Sequence, residues 1–203
     1  MAYPGYAQHS EIKKFDNKII QAIELSILHQ YDKSEKIFND IINDSPFHPA
    51  GYFYKAAMIQ SKMMDFETAQ WEPEFIRNIM LALHYADSLM NQNKSPAPEL
   101  LFYKGSSLSY IAFYEGKKRK YIPAIRHGLA GISNLKKIGE NTAMSHDACF
   151  GIGSYKFWRS QITRHINWLP LIPDEREQGL QMVLSAIEDS KFSKYAAMNE
   201  IVW

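Results

Sequence analysis

One cysteine in 203 residues leaves no partner for an intramolecular disulfide, and it cannot build a multi-cysteine zinc site. Neither sign of charge is in excess: 23 Lys and Arg stand against 22 Asp and Glu, a formal net charge of +1. Proteins that hold nucleic acid through a broad electrostatic surface carry a basic surplus, so nucleic acid is not an expected partner. No apolar run approaches the roughly 18 residues of a membrane span, and no integral membrane segment is expected. The opening MAYPGYAQHS has neither the basic start nor the apolar stretch of a signal peptide. The chain as given reads as cytoplasmic; an exported chain with its leader removed would read the same. Also missing is any sustained apolar–polar alternation, the signature of half-buried strands. What the chain has in quantity is large side chains: 12 Tyr, 11 Phe, 4 Trp and 9 Met, within a 46% hydrophobic composition that suits a folded domain.

Apolar residues recur at helical spacing almost throughout. Ile12, Phe15, Ile19, Ile23 and Ile27 step by three and four, one face of a buried helix opened near Ser10. A second helix follows Tyr31-Asp32 with Ser34, Ile37, Phe38, Ile41 and Ile42, and stops at Pro46. Pro49 opens a third, carrying Tyr52, Phe53, Ala56, Ile59 and Met63, and Pro73 a fourth with Ile76, Ile79, Met80, Leu83, Ala86 and Leu89. The segment NQNKSPAP at Asn91–Pro98 is a break. Beyond it helices are expected over about Glu99–Tyr114, Ile122–Ile138 and Met144–Arg164. The prolines of NWLPLIP (Asn167–Pro173) exclude regular helix. Asp174 and Glu177 have capping-box-like spacing for a helix to Asp189, and Ser193 caps a last one reaching Trp203. The chain is all-α.

Helix pairs invite a search for repeats. From Tyr31 the chain reads YDKSEKIFNDIINDSP, with Ser34, then Phe38 four later, then Pro46 eight beyond that. This resembles the second helix of a tetratricopeptide repeat (TPR), with serine where alanine is usual. Ala22 and Ala56 suit the close crossing in first helices and lie 34 residues apart, the TPR period. Gly105 fits the same role in LLFYKGSSL, and Gly151 or Gly153 fits it in the next pair. Later pairs are spaced more widely, 49 residues from Ala56 to Gly105 and 46 from Gly105 to Gly151, which calls for inserts. The signature tryptophan is missing. Gly151–Leu180 is also similar to segments of uncharacterised bacterial TPR proteins. The resemblance implies helix-turn-helix repeats stacked into a right-handed superhelix, in one domain over 1–203. Its units are 10–46, 49–92, 98–138 and 144–189, with a partial unit at 193–203. A non-repeat helical bundle is the rival architecture.

Motifs that would carry chemistry give way to simpler readings. Gly151–Lys156 (GIGSYK) opens like a dinucleotide fingerprint, but its third glycine would fall at Lys156 and no strand precedes it. His9, His29, His48, His84, His127, His146 and His165 form neither an HExxH motif nor a pair at ligand spacing, so no metal and no cofactor are expected. Cys149 lies near His146 and Asp147, yet it sits among Ala148, Phe150 and Ile152, where a buried inert thiol is the better reading. Asp174, Glu175 and Glu177 occupy a first helical turn, where they complement the helix dipole. No catalytic residue is assigned. The one real charge cluster is Lys117-Lys118-Arg119-Lys120, with Arg126 and Lys136-Lys137 downstream. It reads first as a solvated loop, and otherwise as attraction to an acidic partner, RNA or an anionic membrane surface.

Aromatics on several faces of the first helices exceed what an outer layer needs, and in TPR proteins those helices line a groove for extended peptides. The expected function is therefore a protein-interaction scaffold without catalysis. Projecting the repeat register names Phe53 and Gln60, Phe102, Ser106 and Tyr110, and Ile152, Tyr155 and Lys156 as groove residues. The alternative is a helical carrier of a small apolar or lipid-like ligand. The apolar C-terminal run around Ile201, Val202 and Trp203 makes a second copy of the chain a further candidate partner.

Overall fold

The structure is a computed structural model that describes residues 4–92, 95–163 and 173–201, with side chains from residue 15 onward except 162 and 163. The described residues form nine α-helices and no strand: α1 Pro4–Ile27, α2 Tyr31–Asp44, α3 Pro49–Asp65, α4 Glu72–Asn91, α5 Pro98–Lys117, α6 Tyr121–Leu135, α7 Ser145–Thr163, α8 Arg176–Asp189 and α9 Lys194–Ile201. They group into two compact units, Met1–Tyr85 and Ala86–Trp203, divided within α4.

In the first unit α1 and α2 make a hairpin whose closest approach falls on small side chains. Ala22 and Ser34 are both fully buried, and Ser34 Oγ donates to the carbonyl of Ala22 at 2.7 Å. A buried hydroxyl costs free energy unless it is bonded; here the facing backbone supplies the acceptor. Phe15 and Ile19 on α1 and Phe38 and Ile41 on α2 fill the space on either side of this crossing. α3 packs on both helices and is buried nearly all round, through Phe53, Tyr54, Ala56, Met58, Ile59 and Met63. Such a helix belongs to an interior rather than to an outer layer. Its one buried lysine, Lys55, is held on three sides by Glu35 at 2.9 Å, Asn39 at 2.9 Å and Glu74 at 3.0 Å. His48 caps the helix, its Nδ1 accepting from the Ala50 amide at 3.3 Å. Burial pushes that imidazole down to about 4, so it remains the neutral acceptor that the cap requires.

The second unit contains two hairpins built to one measure. In α5–α6 a Cβ on Gly105 would stand 2.9 Å from the Gly131 carbonyl oxygen, and one on Gly131 2.8 Å from that of Gly105. In α7–α8 the pair is Gly153 and Gly179, with corresponding distances of 2.7 and 2.6 Å. Both pairs are 26 residues apart and one is offset from the other by 48. Ala56 on α3 and Ala82 on α4, each 0% exposed, share the 26-residue spacing. Gly151 does a different job from Gly153: a Cβ there would meet Leu135 of α6 at 2.6 Å, so it lets α7 close on the preceding hairpin. α9 packs on α8 and α7, where Val183, Ala186 and Ala197 form a small core with Phe150 and Ile187.

A buried carboxylate ties this end together. Asp147, in the first turn of α7, accepts the backbone amides of Lys191 at 3.2 Å, Phe192 at 2.9 Å and Ser193 at 2.7 Å. These are three of the four residues between α8 and α9.

α1, α3 and α5 all end in the same way. The amide of Gln30 bonds to the Leu25 carbonyl, Thr68 to Met63 and Lys120 to Glu115, while His29, Glu67 and Arg119 each bond three residues back. This is the Schellman pattern. The left-handed position is taken by His29, Glu67 and Arg119, with φ of 56, 47 and 59°, and never by glycine.

Two helix starts differ from the sequence expectation. α1 begins at Pro4, ahead of Ser10. α8 begins at Arg176: Asp174 accepts the Arg176 amide and also grips its guanidinium, and the Glu175 amide donates to Ser160 Oγ at 2.9 Å. Those contacts hold residues 174–175 outside the helix.

Candidate functional site

Three helices of the second unit, α5, α7 and α9, bring side chains to one place. α5 contributes Tyr110, α7 contributes Ser154 and Trp158 one turn apart, and α9 contributes Glu200. Glu200 accepts from Ser154 Oγ at 2.8 Å and from Trp158 Nε1 at 2.7 Å. Burial raises its pKa, against the pull of these two bonds. Burial and then the charge of Glu200 push the Tyr110 hydroxyl up to about 12. Trp158 is 42% exposed while Tyr110, Ser154 and Glu200 are partly buried. The arrangement offers an aromatic surface beside a fixed acceptor, which suits an N–H donor or a cationic group.

Of the residues projected from the repeat register, Tyr110 alone lies on this face. Phe53 is 3% exposed and Phe102 also 3%, each in edge contact with the tyrosine that follows it. Gln60, Ser106 and Ile152 are buried as well. Tyr155 lies over α6, its ring 3.6 Å from where a Cβ on Gly128 would be, and Arg159 sits over that ring. Lys156 is engaged with Glu175 at 3.0 Å and Gln178 at 2.6 Å. Lys156 and then Arg159, also paired with Glu175, hold that carboxyl below its usual range. The register on α7 follows from its glycines. Gly153 faces α8 and Gly151 faces α6, which turns Ser154 and Trp158 toward α9.

Ser154, Trp158 and Glu200 escape sequence reasoning. Glu200 is 46 and 42 residues from its two donors, and no local pattern links them. Their one sequence signal is the four-residue step from Ser154 to Trp158, a shared helix face.

Elsewhere the geometry favours simple roles. Cys149 is partly buried and its thiol is pushed up by burial and by Glu140, the reverse of what a nucleophile needs. The ring of His146 points at Asp189, 3.8 Å away. Among the described residues no three His, Cys, Asp or Glu converge as a metal site, and no helix is long and apolar enough to cross a membrane. An open recess of about 400 Å³ is lined by Phe157, Asp174, Arg176, Glu177 and Leu180. On α9 Met198 and Ile201 are exposed; Val202 and Trp203 lie outside the described residues. No family model, no curated protein and no solved structure matches the chain.

Proposed function

We propose that this chain is a non-catalytic interaction module of TPR-like build that holds an extended segment of a partner protein. The observation that carries this reading is the convergence of Tyr110, Ser154, Trp158 and Glu200 from α5, α7 and α9. In stacked helical hairpins the first helices form a continuous wall, and a partly exposed tryptophan with a neighbouring carboxylate is a common kind of anchor. Glu200 would accept a main-chain amide or a basic side chain, with Trp158 and Tyr110 covering the flanking apolar atoms. The equal 26-residue spacing of the Gly105–Gly131 and Gly153–Gly179 pairs supports the repeat reading, and their 48-residue offset supports inserts in each later repeat.

Selection of a random peptide library on the full chain tests this directly. Selected peptides should lose at least about tenfold in affinity on Trp158→Ala or Glu200→Gln, the loss of one anchor, with melting unchanged. Peptides that bind both variants as well as the wild type would remove the site from the proposal.

A further inference from the structure

The tip of the α5–α6 hairpin is independent of that wall and has a chemistry of its own. Ile122 is 83% exposed, the highest value for any large hydrophobic residue among those described, and Tyr121 is 63%, Ile125 61% and Leu129 54% exposed. At 100° per residue, Ile122, Ile125 and Leu129 fall within about 60° of the circumference of α6, and the stripe from Tyr121 to Leu129 runs for about 12 Å. Phe113 on the last part of α5 adds another apolar side chain, 47% exposed. Around this stripe stand Lys117, Lys118, Arg119, Lys120 and Arg126, all exposed. Within residues 113–129 the only acid is Glu115, which is paired with His127 at 2.8 Å. Five cations against one carboxylate leave the segment at a formal +4 in a chain whose total is +1.

We infer that this tip docks on an anionic lipid surface, with Ile122, Ile125 and Leu129 entering the acyl boundary and the cations of residues 117–126 meeting lipid phosphates. Two features favour lipid over an acidic protein. Ile122, Ile125 and Leu129 are each more than half exposed along one helix face, as in groups that enter a soft apolar medium. The four consecutive cations, all exposed, lie at the end of α5 and in the turn into α6, beside the apolar stripe. A basic cluster next to exposed apolar side chains is the combination that an anionic lipid interface receives.

The test is co-sedimentation of the full chain with vesicles of phosphatidylcholine, alone or mixed with phosphatidylglycerol. The wild type should pellet with the mixed vesicles only, and added salt should release it. Ile122→Ser with Ile125→Ser, and separately Lys117→Gln, Lys118→Gln and Lys120→Gln together, should each weaken vesicle binding by about tenfold or more. Both variants should keep the wild-type circular dichroism and melting, since every altered side chain is exposed. Failure of the wild type to bind mixed vesicles overturns the inference, as does binding indifferent to Ile122 and Ile125. So does a dimer in sedimentation velocity that the double serine variant dissolves, which would assign the stripe to a second copy. An acidic amphipathic peptide that binds the tip more tightly than the vesicles would assign it to protein.

Discussion

Removing the Asp147 carboxylate should loosen the end of the second unit. Asp147 Oδ1 receives the amides of Phe192 and Ser193, and Oδ2 receives that of Lys191. In Asp147→Ala all three lose their acceptor, and the first two bonds are buried. A buried donor left without a partner costs about 1–3 kcal/mol. Against this, burial raises the Asp147 pKa despite its hydrogen bonds, so the charge carries a desolvation cost that the substitution relieves. The net loss is about 2–4 kcal/mol, a fall of about 5–15 °C in a chain of this size. Asp147→Asn can keep its carbonyl oxygen at the Oδ1 position, retaining the Phe192 and Ser193 amide bonds and losing the Lys191 amide bond, about 1 kcal/mol. The two variants also differ in pH response. A carboxyl whose folded pKa is raised binds its proton more tightly folded than unfolded. The wild type therefore loses stability relative to Asp147→Asn as pH rises from the unfolded pKa through the folded one. Calorimetry of the full chain, with hydrogen exchange at the Phe192 and Ser193 amides, measures both. If Asp147→Ala melts within about a degree of the wild type with those amides equally protected, the clasp has been misjudged.

Gly153→Ala should cost about 1–3 kcal/mol of stability in urea unfolding, because the new Cβ would lie 2.7 Å from the Gly179 carbonyl oxygen. Gly116→Ala, with nothing within 4 Å, should instead leave stability unchanged or raise it by up to about 1 kcal/mol. Acid titration should expose His48. Its folded pKa lies at about 4 against an ordinary value of 6.5, so its neutral-state stability is complete above the upper value and is lost as pH falls toward the lower one. His48→Asn, which can still cap, should flatten the melting temperature over that window.

The helices were legible because their residues obey the 3.6-residue period. So were the crossings, since Ala22, Ser34 and Gly105 are small residues in otherwise bulky faces. The candidate face was not. α3 and α5 are apolar on almost every side, so periodicity cannot say which aromatics are core, and Phe53 and Phe102 lie in the interior. On α7 either Gly151 or Gly153 would have satisfied the pattern, and the choice between them rotates the whole helix face. Asp147 and Glu200 act across 42–46 residues of chain, a separation at which sequence pattern is silent.

The three identical helix ends at His29, Glu67 and Arg119 divide labour between main chain and side chain. Each turn is closed by amide-to-carbonyl bonds, so its path asks chiefly that the left-handed position hold a residue that tolerates positive φ, which excludes proline and disfavours β-branched side chains. The other positions of these tips can therefore differ without altering the direction in which the next helix leaves. The tip at Lys117–Lys120 carries four positive charges, and the tip at His29 sets its imidazole against Asp65, to which Tyr31 also donates. The same backbone knuckle thus serves as a mount, and the side chains it displays can change function from one hairpin to the next while the frame beneath stays fixed.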